Sequence, residues 1–245
     1  MLQHNASPGA DLVVLIDEAQ LADVGGGAAR GRPPLQVALA TAKWGLVPRK
    51  TPRDAAPDHW RMFNARSETA REKSSFCDSV RSRRCVCLLD GFFEWKKRAK
   101  QEGISKVAKA DDSNQPAKQP WIVRPAREEG DQGGELLYIA GVWDEWTPAV
   151  AQDGVSAPRH IRTFTILTTE PCKNLAWLHD RQPVILDSAE QAAEWLRDGA
   201  KEVTYRRLVK GRAEGIRWHK VRVVPEDWMS GMDVWNVQRH WLYRR

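Results

Sequence analysis

Cysteine is scarce in this chain: Cys77, Cys85, Cys87 and Cys172 are all there is, and no two form a C-x-x-C pair. That spacing argues against zinc-ribbon and dithiol-redox patterns, and with no apolar leader ahead of it, against a secreted disulfide scaffold. A reducing, intracellular setting is the expectation. No run approaches the roughly 18 apolar residues that a membrane helix needs, so no membrane partner is expected. The sequon Asn5-Ala6-Ser7 has no secretory context to give it meaning. The glycine-rich stretch 23–34 lacks the G-x-G-x-x-G order of a dinucleotide loop. No internal repeat is present, and neither a metal nor a cofactor is expected.

What the chain does have is enough apolar content for one good core, 42% of 245 residues. Its 38 Lys+Arg against 32 Asp+Glu leave a net charge of +6, which fits a polyanionic partner and also fits an ordinary charged surface. Twelve tryptophans are many for this length. Most belong in a core, yet indole rings also stack on unpaired bases.

Strand-like runs recur at 11–16, 35–40, 84–89, 120–125, 136–143 and 161–169, and predict a sheet-rich molecule. Asp90-Gly91, between RCVCLL and FFEW, reads as a tight hairpin turn that sets Glu94 on a strand. Helices are fewer. Ser188 and Gln191 have capping-box spacing, Ala192, Trp195 and Leu196 form one stripe, and Gly199 is placed to stop the helix. A shorter helix is expected from Thr169, with Pro171 in its first turn, Leu175 and Leu178 on its inner side and His179 at its end. Segments 23–34, 97–119 and 147–160 read as surface loops.

Two blocks carry the chemistry. Residues 60–97 gather Asn64, Arg66 and Glu94 around turn signals, and residues 165–186 contribute His179 followed by Asp180 and Arg181. Amide, guanidinium, carboxylate and imidazole together suit acid/base work on a polar substrate. Each also has a plainer reading: Asn64 as a cap, Glu94 as a strand carboxylate paired with Lys96 or Lys97, and His179 as a helix-end residue.

WGLVP (44–48), NARSET (64–69), RRCVCLLDGFFEW (83–95) and LHDRQPVIL (178–186) occur in that order. They resemble the SOS response-associated peptidase (SRAP) family, whose eukaryotic members are abasic-site processing proteins. The resemblance covers about 35–198. It implies an α+β fold of curled, mainly antiparallel sheets with a few helices around a basic cleft for single-stranded DNA. It implies a reaction too, in which a cysteine directly after the initiator methionine captures the abasic-site aldehyde as a thiazolidine cross-link.

Residue by residue, the resemblance makes Asn64 the amide that positions the abasic sugar and Glu94 the carboxylate that moves protons during imine formation. His179 becomes the imidazole of sugar ring opening. Arg66 falls at a phosphate-binding arginine, Arg83 and Arg84 extend that track, and Arg181 is a further DNA-contact candidate, with a local ion pair to Asp180 as its rival reading. Trp44 and Pro48 belong to a loop that lies beside the DNA in relatives, with core packing as the rival reading of Trp44. The implied partner is single-stranded DNA bearing abasic sites, at replication forks for example. The implied chain is a monomer, placed in the nucleus of a eukaryote or the cytoplasm of a bacterium.

The chain opens Met1-Leu2-Gln3, without the family's cysteine. A thiazolidine needs thiol and free α-amine on one residue, so no internal cysteine substitutes. HNASPGADLVVLI (4–16) resembles a family stretch that comes some tens of residues after the start, and the expectation is a missing N-terminal segment. The domain is then 1–225, a single SRAP-like unit with 97–119 inserted, followed by a basic aromatic tail at 226–245. Three functions stand at this point: an abasic-site processing enzyme, a noncatalytic reader of single-stranded DNA, and a thiol peptidase acting on its own leader.

Overall fold

The computed structural model describes residues 6–22, 34–96, 120–125, 136–150, 159–198, 201–210 and 216–220. Strand β1 (Asp11–Asp17) alternates in burial: Val14 and Ile16 are fully inside while Val13 is half exposed, the period-two pattern of a sheet with one covered face. The short helix α1 (Glu18–Ala22) turns the chain, and β2 (Val37–Trp44) returns antiparallel to β1. The run expected at 35–40 therefore starts later and ends later.

The chain continues through β3 (Asn64–Arg66), α2 (Ser67–Ala70), α3 (Cys77–Ser82), β4 (Arg84–Leu89), β5 (Phe92–Trp95) and β6 (Pro120–Pro125). After these come β7 (Leu137–Trp146), β8 (Ile161–Thr169), β9 (Gln182–Pro183), β10 (Ile185–Leu186), α4 (Ala189–Asp198), α5 (Glu202–Leu208) and β11 (Ile216–Lys220).

Pairing in the order β7, β4, β1, β2, β8 closes into a ring, because β8 also pairs with β7. Every link is antiparallel except β2–β8, which is parallel and covers only Lys43↔Thr163 and Trp44↔Phe164. Strand β3 adds in parallel outside β8, so the architecture is α+β, with sheets that are mainly but not wholly antiparallel. Strands β5, β6 and β11 form a separate antiparallel sheet.

Alternation along β4, β7 and β8 sorts side chains to the two sides of the ring wall. Cys85, Cys87, Ile139, Trp143, Phe164 and Ile166 join one buried cluster with Val14 and Ile16. Val86, Ala140, Val142 and Leu167 join the other, under α4 and α5. Trp195 of α4 is fully buried there, and its Nε1 donates to the carbonyls of Cys85 and Gly141 at 3.0 and 3.2 Å. A Cβ at residue 141 would come within 2.8 Å of Thr165 O, so glycine is what lets these strands close.

The capping prediction for α4 holds in its main part: Gln191 N donates to Ser188 Oγ at 3.3 Å, and Gln191 Oε1 accepts from Asp187 N. Gly199, the tail 226–245, the segment 97–119 and most of the other two expected loops lie outside the described residues.

Two expectations fail. Asp90-Gly91 is not a hairpin, since β4 stays in the ring while β5 pairs with β6. Gly91 has no positive φ; it is glycine for room, because a Cβ would sit 2.7 Å from Val123 O. Residues 173–178 form successive turns rather than a regular helix. Leu175 and Leu178 are buried as expected, but Cys172 N is taken by Gln182 Oε1 at 2.8 Å, which ties the start of the segment to β9.

Candidate active site

His179 emerges from those turns with its backbone N–H bonded to Leu175 O, and its Nε2 lies 3.8 Å from Glu94 Oε1. Both side chains are largely enclosed, Glu94 at 4% residue exposure. Glu94 sits on β5 opposite Trp121 of β6, so a rigid pair of strands holds the carboxylate. Nδ1 of His179 accepts from Arg181 N at 3.0 Å. With that nitrogen as acceptor, the neutral ring carries its proton on Nε2, facing Glu94. When the ring is doubly protonated, Nδ1–H has Arg181 O at 3.1 Å and Asp180 Oδ1 at 3.2 Å as acceptors. Both charge states therefore have partners, which is what a group that both gives and takes a proton requires.

Asn64 is in register with Ile166 of β8, so its side chain shares the face of Ile166. Ile166 belongs to the same buried cluster as Leu175 and Leu178, the anchors of the turn that presents His179. Asn64 Oδ1 is buried with no hydrogen-bond donor among the described residues, an acceptor that a bound polar group would satisfy. The structure brings Glu94 and His179 into direct pairing and sets Asn64 on the sheet face it shares with Ile166.

The arginines divide. Arg66 is exposed at the end of β3, close enough to Glu68 to act on its charge, and suited to an anion. Arg84 is not a phosphate contact: it is 2% exposed, and its guanidinium donates to the carbonyls of Val80, Arg81, Trp195, Leu196 and Arg197. An arginine ahead of an apolar strand looked like surface, but two helix ends consume it. Arg83 is likewise buried, ion-paired to Asp144 at 3.0 Å. Arg181 binds Glu68 in bidentate fashion at 2.7 and 2.8 Å and donates to Thr168 O. It pairs with Glu68 rather than with Asp180, and it meets a phosphate only by giving up Glu68.

Pro48 is buried and so offers an incoming strand no exposed surface. Trp44 is partly buried, its Nε1 donating to Phe63 O at 2.9 Å and its ring edge-on to Phe63 at 5.8 Å. The packing reading of Trp44 is thus realised. Burial pushes the Cys87 thiol up to about 12 and raises that of Cys85 well above the ordinary value. Neither is a thiolate near neutral pH.

Glu68 was not legible as a partner, because nothing in its spacing links it to Arg181. Burial draws its carboxyl upward, but the hydrogen bond and charge of Arg181, with Arg66 nearby, outweigh this and hold it below the usual range. A depressed folded pKa gives stability that is present above the unfolded value, near 4.3, and is lost as pH falls through the folded one. The Glu68 side chain is 44% exposed, so screening limits the pair to about 0.5 kcal/mol. The expected result is that Glu68→Gln is slightly less stable than the parent at pH 7 and indistinguishable from it near pH 2. Urea melts at the two pH values check this, and an unchanged difference at low pH contradicts it.

Comparison with known proteins supplies the remaining observation. A family model described as SOS response associated peptidase (SRAP) matches residues 2–224. The abasic site processing protein HMCES of Xenopus tropicalis is 31% identical over 196 residues, covering 76% of this chain and 53% of that protein. HMCES of Gallus gallus is 32% identical over 199 residues, covering 75% and 52%. The abasic site processing protein YoqW of Bacillus subtilis is 31% identical over 161 residues, covering 64% and 57%. The chain thus spans about half the length of the curated relatives it matches. Among solved structures, a Bacteroides thetaiotaomicron protein superposes with a TM-score of 0.59 at 22% identity, covering 82% of this chain and 76% of that one. A phage-related protein of Bordetella bronchiseptica gives 0.53 at 24%, covering 89% and 81%. At such identities these two speak for the fold.

Proposed function

Because the chain belongs to the SOS response associated peptidase family, we propose that it binds single-stranded DNA and processes abasic sites in it, with Glu94 and His179 as the proton-transferring pair. The observation that carries this reading is the enclosed contact between Glu94 Oε1 and His179 Nε2, both held by backbone-anchored elements. An abasic sugar is mostly a closed hemiacetal. Opening it takes the proton from the ring-carbon hydroxyl and delivers one to the ring oxygen, which an imidazole with partners in both charge states can do. Condensing the freed aldehyde with an amine expels water, so a proton must reach the departing hydroxyl and another must leave nitrogen. Glu94 serves as carrier for these transfers. Asn64, with its unengaged carbonyl oxygen, accepts a sugar hydroxyl and positions the substrate.

Arg66 supplies the phosphate contact. The cross-link implied by the family likeness needs a cysteine bearing a free α-amine, so the covalent step is expected from a form whose mature first residue is cysteine. Non-covalent binding is expected from Met1–Arg245 itself. The test is a salt titration of the chain on a labelled single strand carrying one abasic site. Binding should weaken with salt, and Arg66→Ala should flatten the log–log slope by about one unit. Absence of binding at low salt sinks the reading.

A further inference from the structure

Two tryptophans and a lysine join the same two segments that bring Glu94 and His179 together. Trp177 stands two residues before His179, and Trp121 is the cross-strand partner of Glu94. Their rings meet edge to face, centroids 4.8 Å apart at 82°. The Trp177 Nε1 donates to Asn174 O at 2.8 Å, so the indole is fixed in one orientation, yet it remains partly exposed. Lys96, exposed and two residues beyond Glu94, holds its Nζ 5.1 Å from the centre of the Trp177 ring.

We propose that Trp177, braced by Trp121 and with the Lys96 ammonium over one face of its ring, is a shelf on whose other face one unpaired nucleobase stacks beside the Glu94–His179 pair, with Lys96 serving the adjoining phosphate. This rests on the reading that the chain binds single-stranded DNA. An indole held rigid by its own hydrogen bond and by a second indole loses little conformational freedom when a base covers it. A flat π surface accepts any base, and a cation held against its opposite face matches the backbone charge that accompanies each base. The shelf grips a neighbour of the damaged position, which itself has no base to stack. It thereby fixes where along the strand the missing base falls.

The plainer role of the same contacts is to pin the turn to the small sheet, and the test separates the two. Affinity is measured for oligothymidylate and for a strand of equal length and charge whose sugars all lack bases. The parent chain should prefer the base-bearing strand about tenfold. Trp177→Leu should lose most of that preference while holding the base-free strand unchanged, and Trp177→Phe should keep much of it. Lys96→Ala should weaken both strands together and flatten the salt slope by about one. If Trp177→Leu weakens both strands equally, or keeps the preference, the shelf is refuted. If the parent binds both strands equally well, DNA binding stands and the shelf falls. If it binds neither, both proposals fall.

Discussion

Replacing Arg84 with alanine is expected to cost about 3–5 kcal/mol of folding stability, as the breaking of a buried charged network does. The last carbonyls of a helix have no partner within it and carry the negative end of its dipole. Here the ends of α3, through Val80 and Arg81, and of α4, through Trp195, Leu196 and Arg197, converge on one guanidinium at 2.7–3.2 Å. Gln20 completes the junction, accepting from Arg84 N and donating to Leu196 O. Alanine leaves these buried acceptors unsatisfied and opens a void between the helices and the ring. For a domain of this size the melting temperature should fall by about 10 °C or more. Arg84→Lys should recover only part, because one ammonium cannot span two helix ends as the planar fork does. Denaturant melts measure this, and a loss under about 1 kcal/mol refutes it. The DNA binding proposed above should be unchanged in the folded fraction, since no face of Arg84 is left for phosphate.

Glu94→Gln is expected to slow covalent capture of an abasic site by about 10²–10⁴-fold while leaving affinity for the strand within about threefold. The substitution keeps shape and hydrogen-bonding atoms but removes the ability to take up and return a proton. His179→Ala should fall in the same range. The double variant should be little slower than the worse single one, because two groups 3.8 Å apart act as a unit. Single-turnover formation of the gel-stable adduct, using a form whose first residue is cysteine, reads these rates. A Glu94→Gln variant that reacts within threefold of the parent would remove the carboxylate from the chemistry.

Much of the sheet was legible because strand alternation is local. The runs at 84–89, 120–125 and 161–169 coincide with β4, β6 and β8. The failures share a cause: the deciding partner lay far away in sequence. Gly91 reads as a turn residue until Val123 O is found against it. Arg84 reads as surface until two helix ends arrive, and Arg181 reads as the partner of Asp180 until Glu68 takes it. For the site, the family motifs named Glu94 and His179, but only the crossing from ring to small sheet explains why they meet. Tryptophan count hinted at stacking without choosing a residue. The choice of Trp177 depends on a ring contact between turn and sheet.

Ring closure rests on a seam two residue pairs long, Lys43↔Thr163 and Trp44↔Phe164, where β1–β2 is sealed by seven. Two further bonds baste it shut, Gly45 N to Phe164 O and Val47 N to Thr163 Oγ1, both 2.8 Å. The stitch runs into the Trp44–Pro48 loop, so closure there is shared between strand pairing and the loop's own bonds. A substitution in that loop therefore reaches the ring's closure directly, while the opposite wall, with α4 docked on it, keeps its six-pair β4–β7 seam.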